Sequence, residues 1–548
     1  MKANASSSSD TNRPSESLSE DSQQLLHLPL AAGGRLPPLP TTFLDGENRD
    51  LLEPLHFLAP GELPGEPANV DRRELAEALA EANLSYGVSH ARELAEKLAD
   101  PQTAVIVTGQ QPGVLGGPFL SLSKMAAAVR YAEALEERGR PAVAVFWIAT
   151  EDHDWDEAGT VHLGTDSGRL SLGDDTDPLK PLGDRVLGDG LKGLLESLGE
   201  QARGDQAQAR FDELGSLVDP RSSFGPAFAK IMASWLGERS PLFLDSQLPA
   251  LKKTQAPHLR ILIEKREALE AAYEAAEKDV TDRGFSLQVT PQPGTSPLFL
   301  IHEGQRRRIE WRDGDHFGLR GVDNFEGTVD ELLGLLDQDP ARFSPGVLAR
   351  PAIQDVVLGS SLQLMGPSEL SYMTQARGAY KILGIEKTWT TLRPQMMALD
   401  RRQVGWMEEL ELSIRELIDE STASIVAERF GRDFVTPIRD KMIEALAELE
   451  APTLDVDKSL EKPLRKTRDQ ITRGLDNFTA RVEAAVARKN ETWTRRVEQL
   501  KSGIVPDGHL QERELAGAYF WVKYGPDWVH ALLDQMDLDT RDLNIVKI

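Results

Sequence analysis

The sequence predicts a mixed α/β domain with a parallel sheet, followed by a long antiparallel α-helical coiled coil. Two observations predict this: an apolar strand, helix and strand pattern between residues 104 and 149, and apolar residues at heptad spacing beyond Asp400. We divide the 548 residues into a disordered Ser- and Pro-rich tail (1–40), a core with insertions (41–395), the coiled coil (396–505) and a C-terminal helical segment that packs on the core (506–548).

The strand, helix and strand pattern predicts a β-α-β unit. Ala104 to Val107 is a short apolar run, and Ala142 to Ala149 is eight residues without polar alternation, which is typical of a parallel strand covered on both faces. Pro118 suits the first position of the helix between them. A right-handed crossover brings the loops after both strands to one sheet edge, where open α/β sheets bind their ligands.

Further segments extend this domain. The pattern predicts a helix at Phe224 to Leu236, a strand at Leu242 to Leu244, a long helix from Leu248 to Lys278, and a hairpin through Leu298 to Ile301 and Arg308 to Trp311. The Gly- and Asp-rich stretch 166–204 has few core candidates, so we expect a peripheral insertion there.

Beyond Asp400 the apolar spacing changes to heptads. Three-four spacing appears at Met407, Leu410, Ile414 and Leu417, and again at Ile471, Leu475, Phe478, Val482 and Ala485. Pro452 and the residues up to Asp457 offer a reversal point, which predicts two antiparallel arms of about 45 residues. We interpret this part as a strut or dimerisation element rather than a ligand site.

Composition excludes several classes of function. The net charge of −26 and the lack of a basic stripe longer than Arg306 to Arg308 argue against a nucleic-acid partner. No apolar run is long enough to span a membrane, and the start lacks a secretory signal, so we expect a cytoplasmic protein. The absence of Cys excludes disulfides, thiolate zinc sites and a thiol nucleophile.

A Gly-rich turn follows the first strand of the β-α-β unit. Its glycine spacing matches neither the dinucleotide fingerprint nor a P-loop. Backbone N–H groups and a helix N-terminus still attract anions, and Lys124 lies off the apolar stripe where it could join them. The alternative is a tight packing turn with a solvated Lys124. The candidate binding residues here are Thr108, Gly109, Gln110, Gln111, Gly113, Gly117 and Lys124.

An acidic cluster around one histidine follows the second strand. Asp152, His153 and Asp154 are the candidate catalytic residues, with His153 as a general base whose proton affinity the carboxylates raise. A single His beside adjacent acids lacks the spacing of a defined metal site, so we predict none, although a Mg²⁺ carried by a nucleotide could use one carboxylate. Helix capping or salt bridging is the alternative role.

A third segment, from Arg350 to Arg393, repeats the strand, turn and helix-entrance pattern and could form a second wall of the same cleft. The two arginines are candidates for bidentate carboxylate recognition, or alternatively form surface ion pairs. The candidate binding residues are Arg350, Gln354, Asp355, Gly366, Glu369, Tyr372, Gln375 and Arg393.

These motifs, taken in order, resemble the bacillithiol cysteine-adding enzyme family. The resemblance rests on Thr108 to Gly113 with Gly117, Pro118 and Lys124, then Phe146 to Asp154, Arg350 to Asp355, Gly366 to Glu369 with Tyr372 and Gln375, Leu510 to Arg513, and Lys523 to Pro526. It covers roughly residues 40 to 540. Several motifs in sequence order are more specific than any one of them.

The resemblance implies a Rossmann-like core with connective insertions and a coiled coil that mediates a homodimer. It implies that cysteine is joined to the amine of glucosaminyl malate, giving bacillithiol in the last step of its biosynthesis. Activation of a free carboxylate leads us to expect ATP with Mg²⁺, although no motif demands it. In this hypothesis the Gly-rich turn and Lys124 bind the activated or anionic group, His153 with Asp152 deprotonates the amine, and Arg350 or Arg393 holds the malate carboxylates.

Two alternatives stay open from the sequence. The same fold could serve a related amide-forming or nucleotidyl-transfer enzyme that acts on another amine. The chain could also be a noncatalytic coiled-coil dimer that binds a small molecule, but a scaffold has no need to crowd acids around His153 at a sheet edge.

Overall fold

The protein forms two compact units. The computed structural model describes residues 25–31, 35–164, 168–290, 292–323, 325–430 and 435–548. The larger unit comprises Pro29–Asp400 and Ser502–Ile548, and the smaller one contains Arg401–Lys501.

The larger unit is built on a parallel sheet with smaller sheets beside it. Its strands are β1 (His56–Phe57), β2 (Ala104–Gln110), β3 (Ala142–Ile148), β4 (Thr160–His162), β5 (Arg169–Ser171), β6 (Leu242–Asp245), β7 (Thr295–His302), β8 (Gln305–Arg312), β9 (His316–Leu319), β10 (Glu326–Thr328), β11 (Phe343–Pro345), β12 (Leu362–Met365), β13 (Trp389–Leu392), β14 (Met396–Leu399) and β15 (Asn544–Lys547). The main sheet has the order β1-β13-β12-β2-β3-β6, and every pair in it is parallel.

Helices cover both faces of this sheet and extend the unit at its C-terminal end. In the part of the unit before Asp400 they are α1 (Pro38–Leu44), α2 (Arg73–Tyr86), α3 (Ala91–Ala99), α4 (Phe119–Glu136), α5 (Trp155–Ala158), α6 (Leu191–Gly199), α7 (Asp205–Ser216), α8 (Phe224–Leu236), α9 (Pro249–Glu264), α10 (Arg266–Asp282), α11 (Val329–Gln338), α12 (Arg350–Leu358) and α13 (Pro367–Leu383). Nowhere in the described ranges is a helix both long and apolar enough for a bilayer crossing.

The alternation of β2 and β3 explains why the main sheet is buried on both faces. Successive side chains of a strand point to opposite faces. In β2, Ile106 belongs to the larger apolar cluster, whereas Val105 and Val107 belong to the cluster on the other face. In β3, Phe146 and Trp147 divide in the same way. The predicted parallel β-α-β unit is therefore confirmed, with all seven residues of each strand in register.

A second, antiparallel sheet has the order β10-β9-β8-β7-β11. The predicted hairpin is confirmed as β7 and β8, with Phe299 opposite Arg308 and Ile301 opposite Arg306. β11 pairs with the other edge of β7. Arg306 and Arg308 lie two residues apart on β8, so they share one face of the strand.

The structure differs from the sequence predictions in three stretches. Of the predicted tail, residues 1–24 and 32–34 lie outside the described residues, but Leu30 is buried and its N–H donates to Arg541 O at 2.9 Å. The predicted peripheral insertion contributes its leucines to the main core, because helix α6 turns Leu191, Leu194 and Leu198 inward. The predicted single helix after Leu248 is broken at Lys265 into α9 and α10.

The smaller unit consists of helices on two antiparallel arms. They are α14 (Arg401–Leu410), α15 (Ile414–Asp419), α16 (Thr422–Arg429), α17 (Val435–Glu448), α18 (Glu450–Val456), α19 (Glu461–Lys489) and α20 (Glu491–Ile504), the last ending in the larger unit. The outgoing arm is interrupted because Glu411 adopts a positive φ of 53° and Ser413 starts a new helix as its N-cap.

Ion pairs between the two arms confirm their antiparallel direction. Arg496 pairs with Glu409 at 2.6 Å, Arg439 with Asp476 at 2.7 Å, and Arg468 with Glu450 at 3.1 Å. The sequence separation within these pairs decreases towards the reversal near Asp457, as two antiparallel arms require.

The C-terminal segment completes the larger unit. It contains α21 (Gln511–Glu514), α22 (Gly517–Tyr524) and α23 (Pro526–Gln535), and β15 pairs in parallel with β14. Phe520 and Trp528 stack with ring centroids 5.0 Å apart, and both contact Phe119 of α4.

Candidate functional site

A cavity of about 610 Å³ opens at the carboxyl ends of β2, β3 and β12. Its volume is in the range of small-molecule sites, and its position is where open α/β sheets bind ligands. The predicted site residues that line it are Gly109, Gln110, Gln111, Lys124, Asp152, His153, Arg350, Gly366, Glu369, Tyr372 and Arg393. The predicted site residues that are not part of its lining are Thr108, Gly113, Gly117, Asp154, Gln354, Asp355 and Gln375.

The Gly-rich turn forms one wall of the cavity. Gln110 donates to Glu157 Oε1 at 2.9 Å, and Gln111 donates to Asp152 Oδ2 at 2.5 Å, so the turn is tied to the loop after β3. Gly113 is required for space, because a Cβ there would lie 2.4 Å from the Cα of Gly117. Both glycines therefore shape the turn.

The first backbone N–H of α4 is used by a hydrogen bond within the protein. The N–H of Phe119 donates to Leu515 O at 2.8 Å, and the N–H of Gly517 donates to Gly117 O at 3.0 Å. The C-terminal segment thus covers the helix entrance. The N–H of Phe119 is therefore not available to an anion, whereas Leu120, the next residue of the first turn, lines the cavity.

The side chain of Lys124 is buried and fully hydrogen-bonded, not solvated. Its ammonium donates to Gly109 O at 2.8 Å, Gln110 Oε1 at 2.9 Å and Glu369 Oε2 at 2.8 Å, which uses its three protons. Burial raises the pKa of Glu369, but Lys124 and the N–H of Gly366 outweigh burial, and the pKa is lowered overall. The ion pair joins the Gly-rich turn to the start of α13.

His153 lies at the other wall, between a carboxylate and a guanidinium. Its Nδ1 is 3.7 Å from Asp152 Oδ1 and 3.5 Å from Arg306 Nη1. Burial and then Arg306 lower the pKa of His153, against the opposing effect of Asp152 and Asp154. The carboxylates raise the proton affinity of His153, as predicted, but burial and Arg306 outweigh them and the net shift of the pKa is downward. A neutral imidazole is the form that can accept a proton.

The other acids of this loop have structural partners. Asp154 is the N-cap of α5, since its Oδ1 accepts from the N–H of Glu157 at 3.0 Å. Glu151 is buried and forms an ion pair with Lys252, whose ammonium also donates to Phe343 O at 2.8 Å. Burial raises the pKa of Glu151, opposed by Lys252. Among the described residues, His, Asp and Glu form no group of three that could hold a metal ion.

Arg350 and Arg393 differ in whether their positive charge is already paired with a carboxylate of the protein. Arg350 donates to the neutral groups Gln354 Oε1 at 3.0 Å and Tyr372 Oη at 3.2 Å. Arg393 donates to both oxygens of Glu512, at 2.6 and 3.0 Å, and both side chains are fully buried. The guanidinium of Arg393 is thus committed to a carboxylate of the protein itself.

Three predicted site residues form hydrogen bonds within the protein and do not line the cavity. Thr108 donates to Leu364 O at 3.1 Å, between β2 and β12. Asp355 is buried and accepts from Tyr380 Oη at 2.7 Å, and burial raises its pKa to about 6. Gln375 bonds to the backbone N–H and carbonyl of Val289, at 2.9 and 2.8 Å.

The sequence analysis missed Arg306 and Arg308 as site residues. Both line the cavity from β8, and the run Arg306 to Arg308 was considered only as a basic stripe. The alternation of side chains along a strand predicts that Arg306 and Arg308 share one face of β8. That this face lies beside His153 is visible only in the folded structure. Glu512 and Lys252 were missed because their ion-pair partners, Arg393 and Glu151, are far from them in the sequence.

Comparisons with known proteins agree with this architecture. The family model described as "Bacillithiol biosynthesis BshC, N-terminal Rossmann-like domain" matches residues 62–394. The model described as "Bacillithiol biosynthesis BshC, C-terminal coiled-coil domain" matches residues 396–548.

Relatives that carry the name "Putative cysteine ligase BshC" match most of the chain, as three of them illustrate. The one from Symbiobacterium thermophilum is 29% identical and the alignment covers 86% of this chain and 88% of that protein. The one from Salinibacter ruber is 28% identical, with coverage of 87% and 89%. The one from Bacillus licheniformis is 25% identical, with coverage of 85% and 88%.

Proposed function

Since the chain belongs to the BshC family of bacillithiol biosynthesis, we propose that it is a ligase that joins cysteine to the amine of glucosaminyl malate, the last step of that pathway. The observation that carries the proposal is the cavity at the sheet edge, where His153 lies 3.5 Å from Arg306 among further cationic groups. The substrate amine carries a dicarboxylate, and a cation-lined cavity of this volume suits it.

In this proposal His153 removes a proton from the attacking amine. Its lowered pKa keeps the imidazole neutral at neutral pH, which a general base requires. Asp152 orients the ring from 3.7 Å and is itself held by Gln111. The Lys124 and Glu369 pair fixes the opposite wall, so that the substrates meet a preorganised site.

ATP with Mg²⁺ is the activating pair that we propose. ATP would convert the carboxylate of cysteine into an activated acyl group with a phosphate-containing leaving group. Arg350 lines the cavity, donates only to neutral groups of the protein, and supplies positive charge for such an anion. Mg²⁺ takes oxygen ligands, and Glu157, which accepts from Gln110 and lines the cavity, would supply one of them.

The test is a mass-spectrometric assay of the purified protein with glucosaminyl malate and cysteine, with and without ATP and Mg²⁺. We expect a product of bacillithiol mass that depends on ATP, and its loss in His153→Ala. His530→Ala is the matched control, because His530 is exposed on α23. Product from another amino acid but not from cysteine would refute the substrate assignment. Full activity of His153→Ala would refute the base assignment.

We also infer that the smaller unit pairs with a second copy of the chain. Ile438, Met442 and Phe478 keep 56%, 43% and 55% of their surface exposed on its arms. Apolar side chains exposed in this way favour association. Analytical ultracentrifugation should show a dimer that Ile438→Glu with Phe478→Glu converts to monomer. Lys441→Glu, at an exposed polar position, should leave the dimer intact. A double variant that remains dimeric would refute the inference.

A further inference from the structure

Two arginines of β8 project from one face of the strand into the cavity wall. Arg306 and Arg308 both pack against the ring of Phe299, with their Cζ atoms 3.9 and 5.0 Å from its centroid. Phe299 lies on β7, directly opposite Arg308 in the hairpin. The aromatic ring and the hairpin therefore hold two guanidinium groups side by side at the cavity surface.

Arg306 is fixed in orientation by its other nitrogens. Nε donates to Ser344 Oγ at 2.9 Å and Nη2 donates to Pro345 O at 3.0 Å. The remaining nitrogen, Nη1, lies 3.5 Å from His153 Nδ1 and 3.7 Å from Asp152 Oδ1. These two contacts are longer than good hydrogen bonds. Nη1 of Arg306 thus points towards His153 and still has N–H groups available to donate to a ligand.

Two of the cations that line the cavity are neutralised by carboxylates of the protein itself. Lys124 is paired with Glu369, and Arg393 with Glu512. Arg308 takes part in no ion pair with the described residues, and burial and then its neighbours Arg320 and Arg306 lower its pKa, against the opposing effect of Glu310. Arg306 has the Asp152 carboxylate at 3.7 Å, but the two guanidinium groups still repel each other, and a bound anion would reduce that repulsion.

We propose that Arg306 and Arg308 bind the carboxylate groups of the amine substrate and so place its amine beside His153. The proposal rests on the proposed function, in which that substrate is glucosaminyl malate. Two adjacent guanidinium forks match two carboxylates in geometry as well as charge. In this substrate the sugar amine lies on the carbon next to the one that carries malate. A malate held at Nη1 of Arg306 therefore brings the amine close to the imidazole.

Binding of the acid also prepares the base. A carboxylate on Nη1 neutralises the charge that faces His153 Nδ1, which favours the tautomer whose proton is on Nδ1, the nitrogen 3.7 Å from Asp152 Oδ1. The lone pair is then on Nε2, the nitrogen away from Arg306. Only a substrate with the acidic group completes this arrangement, so the arginines select the acid-bearing amine.

The test compares Arg308→Gln and Arg306→Lys with the wild type. Arg307→Gln is the matched control, because Arg307 alternates to the other face of β8 and does not line the cavity. Steady-state KM is measured for glucosaminyl malate, for cysteine, and for methyl glucosaminide, which has the amine but no carboxylate. Calorimetric binding of glucosaminyl malate gives a readout that does not need turnover, and circular dichroism checks folding.

We expect Arg308→Gln to raise KM for glucosaminyl malate by about 10- to 100-fold, the value of a charged hydrogen bond. KM for cysteine and for methyl glucosaminide should not change, and Arg307→Gln should behave as the wild type. If the wild type forms product and both variants keep its preference for the acid-bearing amine, the proposal is overturned and the ligase function stands. If no product forms but calorimetric binding depends on Arg308, the acid site stands and the ligase proposal fails.

Discussion

Arg393 and Glu512 form a bidentate ion pair with no exposed side-chain surface, at 2.6 and 3.0 Å. Glu512 also accepts from the N–H of Met396 at 3.0 Å. Arg393 directly follows β13 of the main sheet, and Glu512 belongs to α21 in the C-terminal segment. A pair at this position links the two parts of the larger unit.

Glu512→Gln should lower the free energy of unfolding by about 3–5 kcal/mol, because it leaves the buried guanidinium of Arg393 without a counter-charge. Denaturant titration measures the change. Lys253→Gln is the control, since its pair with Glu74 is exposed and such pairs contribute less than about 1 kcal/mol. Equal effects of the two substitutions would show that the buried pair contributes no more to the free energy of unfolding than the exposed pair does.

The pH dependence of the reaction should report the environment of His153. Burial and Arg306 lower its pKa, so kcat/KM should fall only as the pH drops below the ordinary histidine value of 6.5. The fall occurs on the acid side because a protonated imidazole cannot accept the proton of the amine. His153→Ala should reduce the rate by about 10²- to 10⁴-fold.

Arg306→Gln should move the midpoint of this acid limb to higher pH, since the positive charge that disfavours the imidazolium is gone. Arg307→Gln should leave the midpoint where it is. An unchanged midpoint in Arg306→Gln would mean that His153 is not the titrating group.

Asp355 should make the protein less stable as the pH rises from about 4 to about 6. Burial raises the pKa of Asp355 from 3.8 to about 6, so the folded state binds the proton more tightly than the unfolded chain. The resulting stability is present below the unfolded value and is lost as the pH rises through the folded value. Asp355→Asn should therefore raise the free energy of unfolding at pH 7 by up to about 3 kcal/mol.

Unfolding curves at pH 4, 5, 6 and 7 test this, because the stabilisation by Asp355→Asn should grow across that series. Asp315→Asn is the control at an exposed carboxyl. Destabilisation by Asp355→Asn at every pH would show that the carboxylate form is the one that the fold requires.

Gly113→Ala should disturb the Gly-rich turn, because its Cβ would meet the Cα of Gly117 at 2.4 Å and backbone cannot give way cheaply. We expect lower thermal stability and a higher KM. Gly334→Ala, in open space on α11, should instead stabilise the protein by about 0.5–1 kcal/mol. Scanning calorimetry and the product assay measure both effects. A Gly113→Ala protein that matches Gly334→Ala would remove the steric argument.

The features predicted from sequence were those with local signals. The β-α-β unit and the hairpin follow from apolar periodicity within about 50 residues, and the fold confirms them. The partners of the site residues carry no such signal: Lys124 and Glu369 are 245 positions apart, and Arg393 and Glu512 are 119 apart. The sequence therefore located the sheet edge but could not tell which of its charges are already neutralised, and this decides what remains for a ligand.

The pairing of β14 with β15 sets an order on biosynthesis. β14 ends at Leu399, and its parallel partner begins at Asn544, after the whole of residues 401–501 has been translated. Glu512, which neutralises Arg393, also emerges from the ribosome only after that excursion. A core that folded before this point would have a free β14 edge and an Arg393 without its counter-charge until more than a hundred further residues were synthesised. Unpaired strand edges can pair with other chains, so the late arrival of β15 exposes the β14 edge to that competing association.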